Sequence, residues 1–372
     1  MQNSTTAGYY PWQSLTFPVF KGCMSNRAKN ILYSLLLIAA VLIVMRVRSG
    51  KKPVPLRLEG KTMGTTYHVT YFDPENRDFQ RQVDSILMLV NRSISTWDSL
   101  SEISRFNRSA SGIALELPYF YSPLQTSKVV YEGSKGAYDP TVMPLVNAWG
   151  FGPQKVTRPD TIYIESVRKR VGFDKVRFTP DSLIKTAPGV ELDFSAIGQG
   201  YGADVVTDFL RSKGISSMLV ELGGEGMAMG INLESGKPWE LGLVNPMKPM
   251  ADPVTPQEFF GFLSMKDRGF STSGNYFNYR IVDGVRYSHT IDPSTGYPAE
   301  HPIMSASVFA ENCALADAWA TAFMSMGHLR SIEVLKEHPE LEACLIWSVP
   351  GGMEHHITPG IAPYIKLEGK GK

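Results

Sequence analysis

Apolar and polar positions along this chain fall into three regimes. Residues 31–45, ILYSLLLIAAVLIVM, are apolar on every side apart from Tyr33 and Ser34, and basic residues flank them at both ends. Residues 1–30 are polar and aromatic with no clear period, which predicts a tail. From about residue 56 the pattern alternates between strand-like and helix-like periods. Residues 56–72 predict two strands around Met63-Gly64, and Val83, Ile86, Leu87, Val90 and Ile94 fall on one face of a helix over roughly 76–95. Further helices are expected near 123–134, 161–171, 198–213, 311–326 and 328–337. Short β-rich runs occur near 173–178, 182–187, 190–194, 216–221, 239–244, 259–264, 304–309 and 342–347, and the Pro- and Met-rich stretch 245–256 reads as a loop. Strands grouped together and interrupted by helices predict an α+β fold and not a strict βαβ alternation.

The all-round apolar segment predicts a membrane or signal anchor over 31–48, followed by a linker at 49–55 and one domain over 56–372. A helix over 31–45 covers roughly 22 Å, short of the ~30 Å hydrocarbon core, with Arg46 and Arg48 placed to snorkel. Charge sharpens this division. The first 52 residues hold seven of the 37 Lys and Arg and none of the 36 Asp and Glu, so the remainder is acidic by six. An acidic body with its positive charge confined to one end argues against a nucleic-acid partner. Basic residues lie on both sides of the apolar run, so the positive-inside rule gives no orientation. Three cysteines are too few for a disulfide framework, and a Cys313–Cys344 pair is left open.

Several segments carry candidate chemistry. In ELDFSAIGQGYGAD (191–204), Gly198, Gly200 and Ala203 match the spacing of a dinucleotide-binding turn, but Asp193 just ahead would repel a pyrophosphate. The glycines fit tight helix packing equally well. In ENCALADAWATAFMSMG (311–327), Asp317 and Thr321 stand one helical turn apart and offer two hard oxygens to Mg²⁺ or Ca²⁺; a buried Asp bonded to backbone is the alternative. A carboxylate in so apolar a helix needs a partner, and Asp193 could share the same cation. His289 and Thr290 sit at an expected strand end before the turn signals Asp292-Pro293 and Gly296, where a histidine can move a proton. Gly136 and Asp139-Pro140 mark a turn into a helix, and STWDSLSEISRFN (95–107) reads as a polar loop. Its Trp97 could stack on a ring system or fill the core.

TMGTTY (62–67), STWDSLSEISRFN, GAYDPTV (136–142), ELDFSAIGQGYGAD, LVELGGEG (219–226), STSGNY (271–276), SHTIDPSTGYP (288–298) and ADAWATA (316–322) together resemble the FAD:protein FMN transferases, the ApbE-type flavin transferases. The likeness spans roughly residues 56–350. It implies a duplicated, T-fold-like α+β domain and a Mg²⁺-dependent enzyme that moves the FMN half of FAD to a threonine hydroxyl of an acceptor protein, releasing AMP. By the same resemblance Met63, Trp97, Ala137, Tyr138, Asp139, Asp193, Gln199 and Ile291 would line the FAD site. The backbone carbonyl of Ala196, with Asp317 and Thr321, would hold the metal. Asp193 and His289 are the candidates for hydrogen bonding and proton transfer. The resemblance further implies an acceptor among membrane redox-pump subunits and a catalytic domain on the outer, periplasmic side of a bacterial inner membrane. Family members commonly carry Lys where this chain has Gln199. Hydrolysis of FAD to FMN and AMP, and flavin binding without turnover, are the competing expectations.

Overall fold

The computed structural model describes residues 25–48, 54–153, 160–248, 257–275, 279–282 and 285–368. Contacts divide the chain into two units, 1–52 and 53–372. Within the first, helix α1 runs over Asn26–Arg48. It starts earlier than the apolar run alone predicts, and its 23 residues reach roughly 34 Å, with polar and basic residues at both ends. Its window Asn26–Ile43 has a mean hydropathy of 1.4, and none of its residues is buried. By length and composition α1 can cross a membrane.

The second unit is α+β, as expected. Its first half contains β1 (Leu56–Thr62), β2 (Thr65–Tyr71), α2 (Gln80–Ile94), α3 (Glu102–Arg108), β3 (Gly112–Ala114), α4 (Tyr121–Gly133), α5 (Met143–Ala148), α6 (Thr161–Arg168), β4 (Val176–Thr179) and β5 (Ser182–Lys185). Then follow α7 (Gly198–Ser212), β6 (Met218–Leu222), β7 (Glu225–Met229), β8 (Trp239–Val244), β9 (Phe259–Met265), β10 (Arg268–Gly274), β11 (Tyr279–Val282) and β12 (Val285–Ser288). The chain closes with β13 (Ile303–Ala310), α8 (Cys313–Glu337), β14 (Glu342–Val349), β15 (Gly352–Ile357) and β16 (Ile365–Leu367).

An eight-stranded antiparallel sheet, in the order β1-β2-β6-β7-β10-β13-β14-β15, organises this unit. Period-two burial explains its strands: Tyr67, Val69 and Tyr71 on β2, and Met218, Val220 and Leu222 on β6, point inward onto α2 and α7. On α2 the predicted stripe is real, with Val83, Leu87, Val90 and Ile94 buried. Helix α8 is buried on nearly every side from Cys313 to Gly327, and its alanines let α7 and the sheet approach closely. Its N-terminus is held twice. Asn312 Oδ1 accepts from Leu315 N at 2.9 Å, and the Asp204 carboxylate accepts from Cys313 N and Ala314 N at 2.8 Å each. The break expected after residue 326 is a kink at Gly327, whose φ of 77° no helix continues.

Three expectations fail. Residues 190–194 form no strand beyond one bridge between Glu191 and Val142. The Asn107 side chain instead takes both backbone groups of Leu192, at 2.7 and 2.8 Å, while Val190, Leu192 and Phe194 still bury their side chains. Residues 102–108 are helix, not loop, because Ser101 caps them at Ser104 N. Phe173–Lys175 make a 3₁₀ turn before the strand begins at Val176. The loop expectation for 245–256 falls partly outside the described residues, as do the tail residues 1–24 and most of the linker. Cys313 and Cys344 are both buried, unpaired thiols in separate core clusters, so they do not pair.

Candidate functional site

A cavity of about 1030 Å³ opens among the turns that follow α4, the start of α7, the β6–β7 turn, β10, the segment after β12 and the middle of α8. Trp97, Ala137, Tyr138, Asp139, Asp193, Ala196, Gln199, His289, Ile291, Asp317 and Thr321 all line it. One candidate is missing from the wall. Met63, at the β1–β2 turn with φ 49°, packs against the core clusters and against α7 beside Gly202. Trp97 is 69% exposed, so it fills no core; its ring stands at the cavity's edge, free to stack.

Two Asp-centred turns build one side. Asp139 Oδ1 accepts from Thr141 N at 2.8 Å and Thr141 Oγ1 at 2.6 Å; Asp193 Oδ1 accepts from Ser195 N at 2.8 Å and Ser195 Oγ at 2.6 Å. A short segment can hold a buried acid this way, because the carboxylate satisfies the turn's own N–H groups. The turns are joined by Asp193 N donating to Pro140 O at 2.7 Å. Burial still pushes Asp139 up to about 6 and raises Asp193, against the lowering by these bonds.

The opposite side is built by α7 and α8. Asp317 Oδ2 accepts from Gly200 N at 3.1 Å, and its Oδ1 accepts from Ser271 Oγ at 3.0 Å. One turn on, the hydroxyls of Thr321 and Ser273 lie 3.3 Å apart. The Ala196 carbonyl, just before the start of α7, accepts no backbone hydrogen bond among the described residues. Burial raises Asp317 to about 6. No hydrogen bond links Asp193 to Asp317, although both face the cavity.

Gly200 therefore serves contact between helices, not a Rossmann turn. A Cβ there would lie 2.6 Å from Cys313 O and 2.8 Å from Asp317 Cβ. The strand after α7 is antiparallel to its neighbours, which excludes the parallel βαβ unit a dinucleotide fingerprint requires.

The sequence left three contributors without a role. Ser271 and Ser273 alternate along β10 and so both face α8. Glu225, first residue of β7, lines the cavity and is buried. The period-two spacing of the two serines and the place of Glu225 directly after Gly223-Gly224 were the available signals, but serines on a strand rarely announce which helix will cover them.

The donor set suits a hard divalent cation. The lining holds four carboxylates (Asp139, Asp193, Glu225 and Asp317) and neither Lys nor Arg among the described residues. Asp317, Thr321 and Ala196 all line this cavity, so a carboxylate, a hydroxyl and a carbonyl oxygen belong to one wall. Among the described residues no group of three or more His, Cys, Asp or Glu is arranged to hold a metal, so a cation here would draw on hydroxyl and carbonyl oxygens beside its carboxylates.

A model of the ApbE family matches residues 63–345. The chain is 34% identical over 343 residues to the FAD:protein FMN transferase of Vibrio cholerae serotype O1, covering 88% of this chain and 98% of that one. It is 32% identical over 344 residues to the FAD:protein FMN transferase of Haemophilus influenzae, covering 89% and 96%. The solved structure of the flavin transferase ApbE from Vibrio cholerae superposes with a TM-score of 0.74 at 33% identity, over 84% of this chain and 99% of that chain.

Proposed function

This chain belongs to the ApbE family, and from that premise we propose how it works as an FAD:protein FMN transferase. The acceptor's threonine oxygen attacks the FMN-side phosphorus of FAD, the bond to the AMP oxygen breaks, and FMN stays on the acceptor as a phosphoester while AMP leaves. The carrying observation is the convergence of Asp317, Thr321 and Ala196 on one acidic cavity large enough for a dinucleotide.

Asp317, Thr321 and the Ala196 carbonyl would hold Mg²⁺, which when bound offsets the charge of the diphosphate and of departing AMP. Gly200 N and Ser271 Oγ fix the Asp317 carboxylate from behind. Trp97 supplies a flat apolar face for the isoalloxazine ring, and Ile291 and Ala137 supply apolar wall. Asp139, Tyr138 and Gln199 offer hydrogen bonds to the flavin or its phosphates. Asp193 holds the turn before Ala196 through Ser195 and so positions that carbonyl. His289, at the end of β12 and on the cavity wall, takes the proton from the attacking hydroxyl.

Helix α1 would tether the enzyme to the bacterial inner membrane, with the catalytic unit on the periplasmic side and a membrane redox-pump subunit as acceptor. The test incubates the full chain with FAD, Mg²⁺ and a threonine-bearing acceptor. Expected are an acceptor heavier by one FMN less water and an equal amount of AMP. Free FMN with AMP would make water the acceptor and overturn the transfer; retained FAD without AMP would overturn turnover altogether.

A further inference from the structure

Glu225 has no part in the machinery just described, yet it is the most poorly satisfied acid in the cavity. It is 8% exposed, opens β7 directly after the Gly223-Gly224 turn, and its Oε2 has no hydrogen-bond partner. Ser271 faces it from β10, the strand hydrogen-bonded to β7. The same Ser271 hydroxyl donates to Asp317 Oδ1 at 3.0 Å. A hydroxyl carries one hydrogen, so it serves one of these carboxylates and leaves the other without it. Neither Asp317 nor Glu225 forms a salt bridge among the described residues.

Two buried carboxylates either side of a single hydroxyl, one of them with an unsatisfied oxygen, make a costly arrangement for a folded protein. Structural acids elsewhere in this unit are not left so. Glu102, equally buried, accepts from Ser93 Oγ and from the backbone N–H groups of Glu116 and Leu117. Glu225 Oε2 lacks any such donor, and Glu225 lines the same cavity as Asp317.

We propose that Glu225 is a second acidic holder of the divalent cation, so that Asp317 and Glu225 grip it from α8 and β7 on the two sides of Ser271. The proposal rests on the cation reading of the Asp317–Thr321 site. It means that the protein binds the cation before FAD arrives, because two carboxylates supply the charge that the diphosphate would otherwise have to bring.

The test is calorimetric titration of Mg²⁺ alone into the full chain without FAD, for wild type, Glu225→Gln and Asp317→Asn, with the thermal midpoint of each recorded in a chelator. Glu225→Gln should keep the shape of the side chain and the chelated midpoint, and should weaken Mg²⁺ binding by about tenfold or more. It should also lose the rise in midpoint that Mg²⁺ gives wild type. If Glu225→Gln binds Mg²⁺ within a factor of about two of wild type while Asp317→Asn loses it, Glu225 is not a holder and the Asp317 site stands. If neither substitution changes Mg²⁺ binding, the cation reading falls and takes the proposal with it. Should Glu225→Gln fail to fold, Glu225→Asp decides: it keeps the charge but withdraws it by one methylene, and unchanged Mg²⁺ affinity in that variant overturns the proposal.

Discussion

Replacing Gly200 by alanine tests the contact on which the site is built. In an isolated helix the change would stabilise by about 1 kcal/mol, since alanine is the better helix former. Here the new Cβ would meet Cys313 O at 2.6 Å, Cys313 C at 2.8 Å and Asp317 Cβ at 2.8 Å, and two of those atoms are backbone. Ordinary contact requires α7 and α8 to part by roughly 0.8 Å, an overpacking strain of about 1–3 kcal/mol. The same movement stretches the Gly200 N–H bond to Asp317 Oδ2 from 3.1 Å beyond hydrogen-bonding range, a loss of about 1.5–3 kcal/mol for a charged acceptor. After the helix-propensity gain, the net destabilisation is about 2–5 kcal/mol, read by urea denaturation in a chelator. FMN transfer should fall with it, because Asp317 moves with α8. Gly202→Ala is the matched control. Its Cβ would meet Leu222 Cδ2 at 2.8 Å and Met63 Cε at 3.1 Å, both ends of flexible side chains that can turn aside. A Gly200→Ala protein as stable as wild type, or one no worse than Gly202→Ala, refutes the reasoning.

Asp317→Ala should abolish transfer and Mg²⁺ binding while the circular dichroism spectrum stays unchanged; a folded variant that still flavinylates its acceptor removes Asp317 from the metal site. Gln199→Lys places a cation in a lining that has neither Lys nor Arg among the described residues, so FAD should bind more tightly by fluorescence titration, and equal or weaker binding counts against a role for that charge. Burial raises Asp204 to about 7, well above the ordinary carboxylate range. A raised acid adds stability that is complete below its unfolded value and lost as pH rises through the folded one. Asp204→Asn keeps one of the two helix-terminal acceptors and, since the wild-type acid is neutral at pH 5, should cost about 0.5–1.5 kcal/mol there. That cost should shrink between about pH 4 and 8, because only wild type loses stability there. Histidines titrating in the same window are common to both proteins and cancel in the difference, so a constant or growing difference in urea denaturation would contradict the raised value.

Local periodicity made most of the fold legible. Helices on a 3.6-residue stripe, such as α2 and α7, and strands with alternating burial, such as β2 and β6, lie within a few residues of their expected ends. Residues 190–194 were misread because an apolar run buries its side chains equally well when a distant Asn107 supplies its backbone partners. Strands β7 and β10 escaped notice because EGMAM and RGFSTSG combine small and polar residues, and their strand form is imposed by the neighbours on either side. For the site, Asp317 and Thr321 could be paired from spacing alone, since one helix fixes both. That they share a cavity with Ala196 could not, and neither could the unsatisfied state of Glu225; both depend on which strand the sheet sets beside which helix.

Asp317 and Gly200 touch across 117 positions of sequence, and Asp204 clasps the start of α8 from 109 positions away. An emerging polypeptide therefore carries the turns around Asp139 and Asp193 long before it possesses the helix that bears Asp317. Contacts so remote in order form late. Such a timetable postpones the finished cavity until the closing helix has been made.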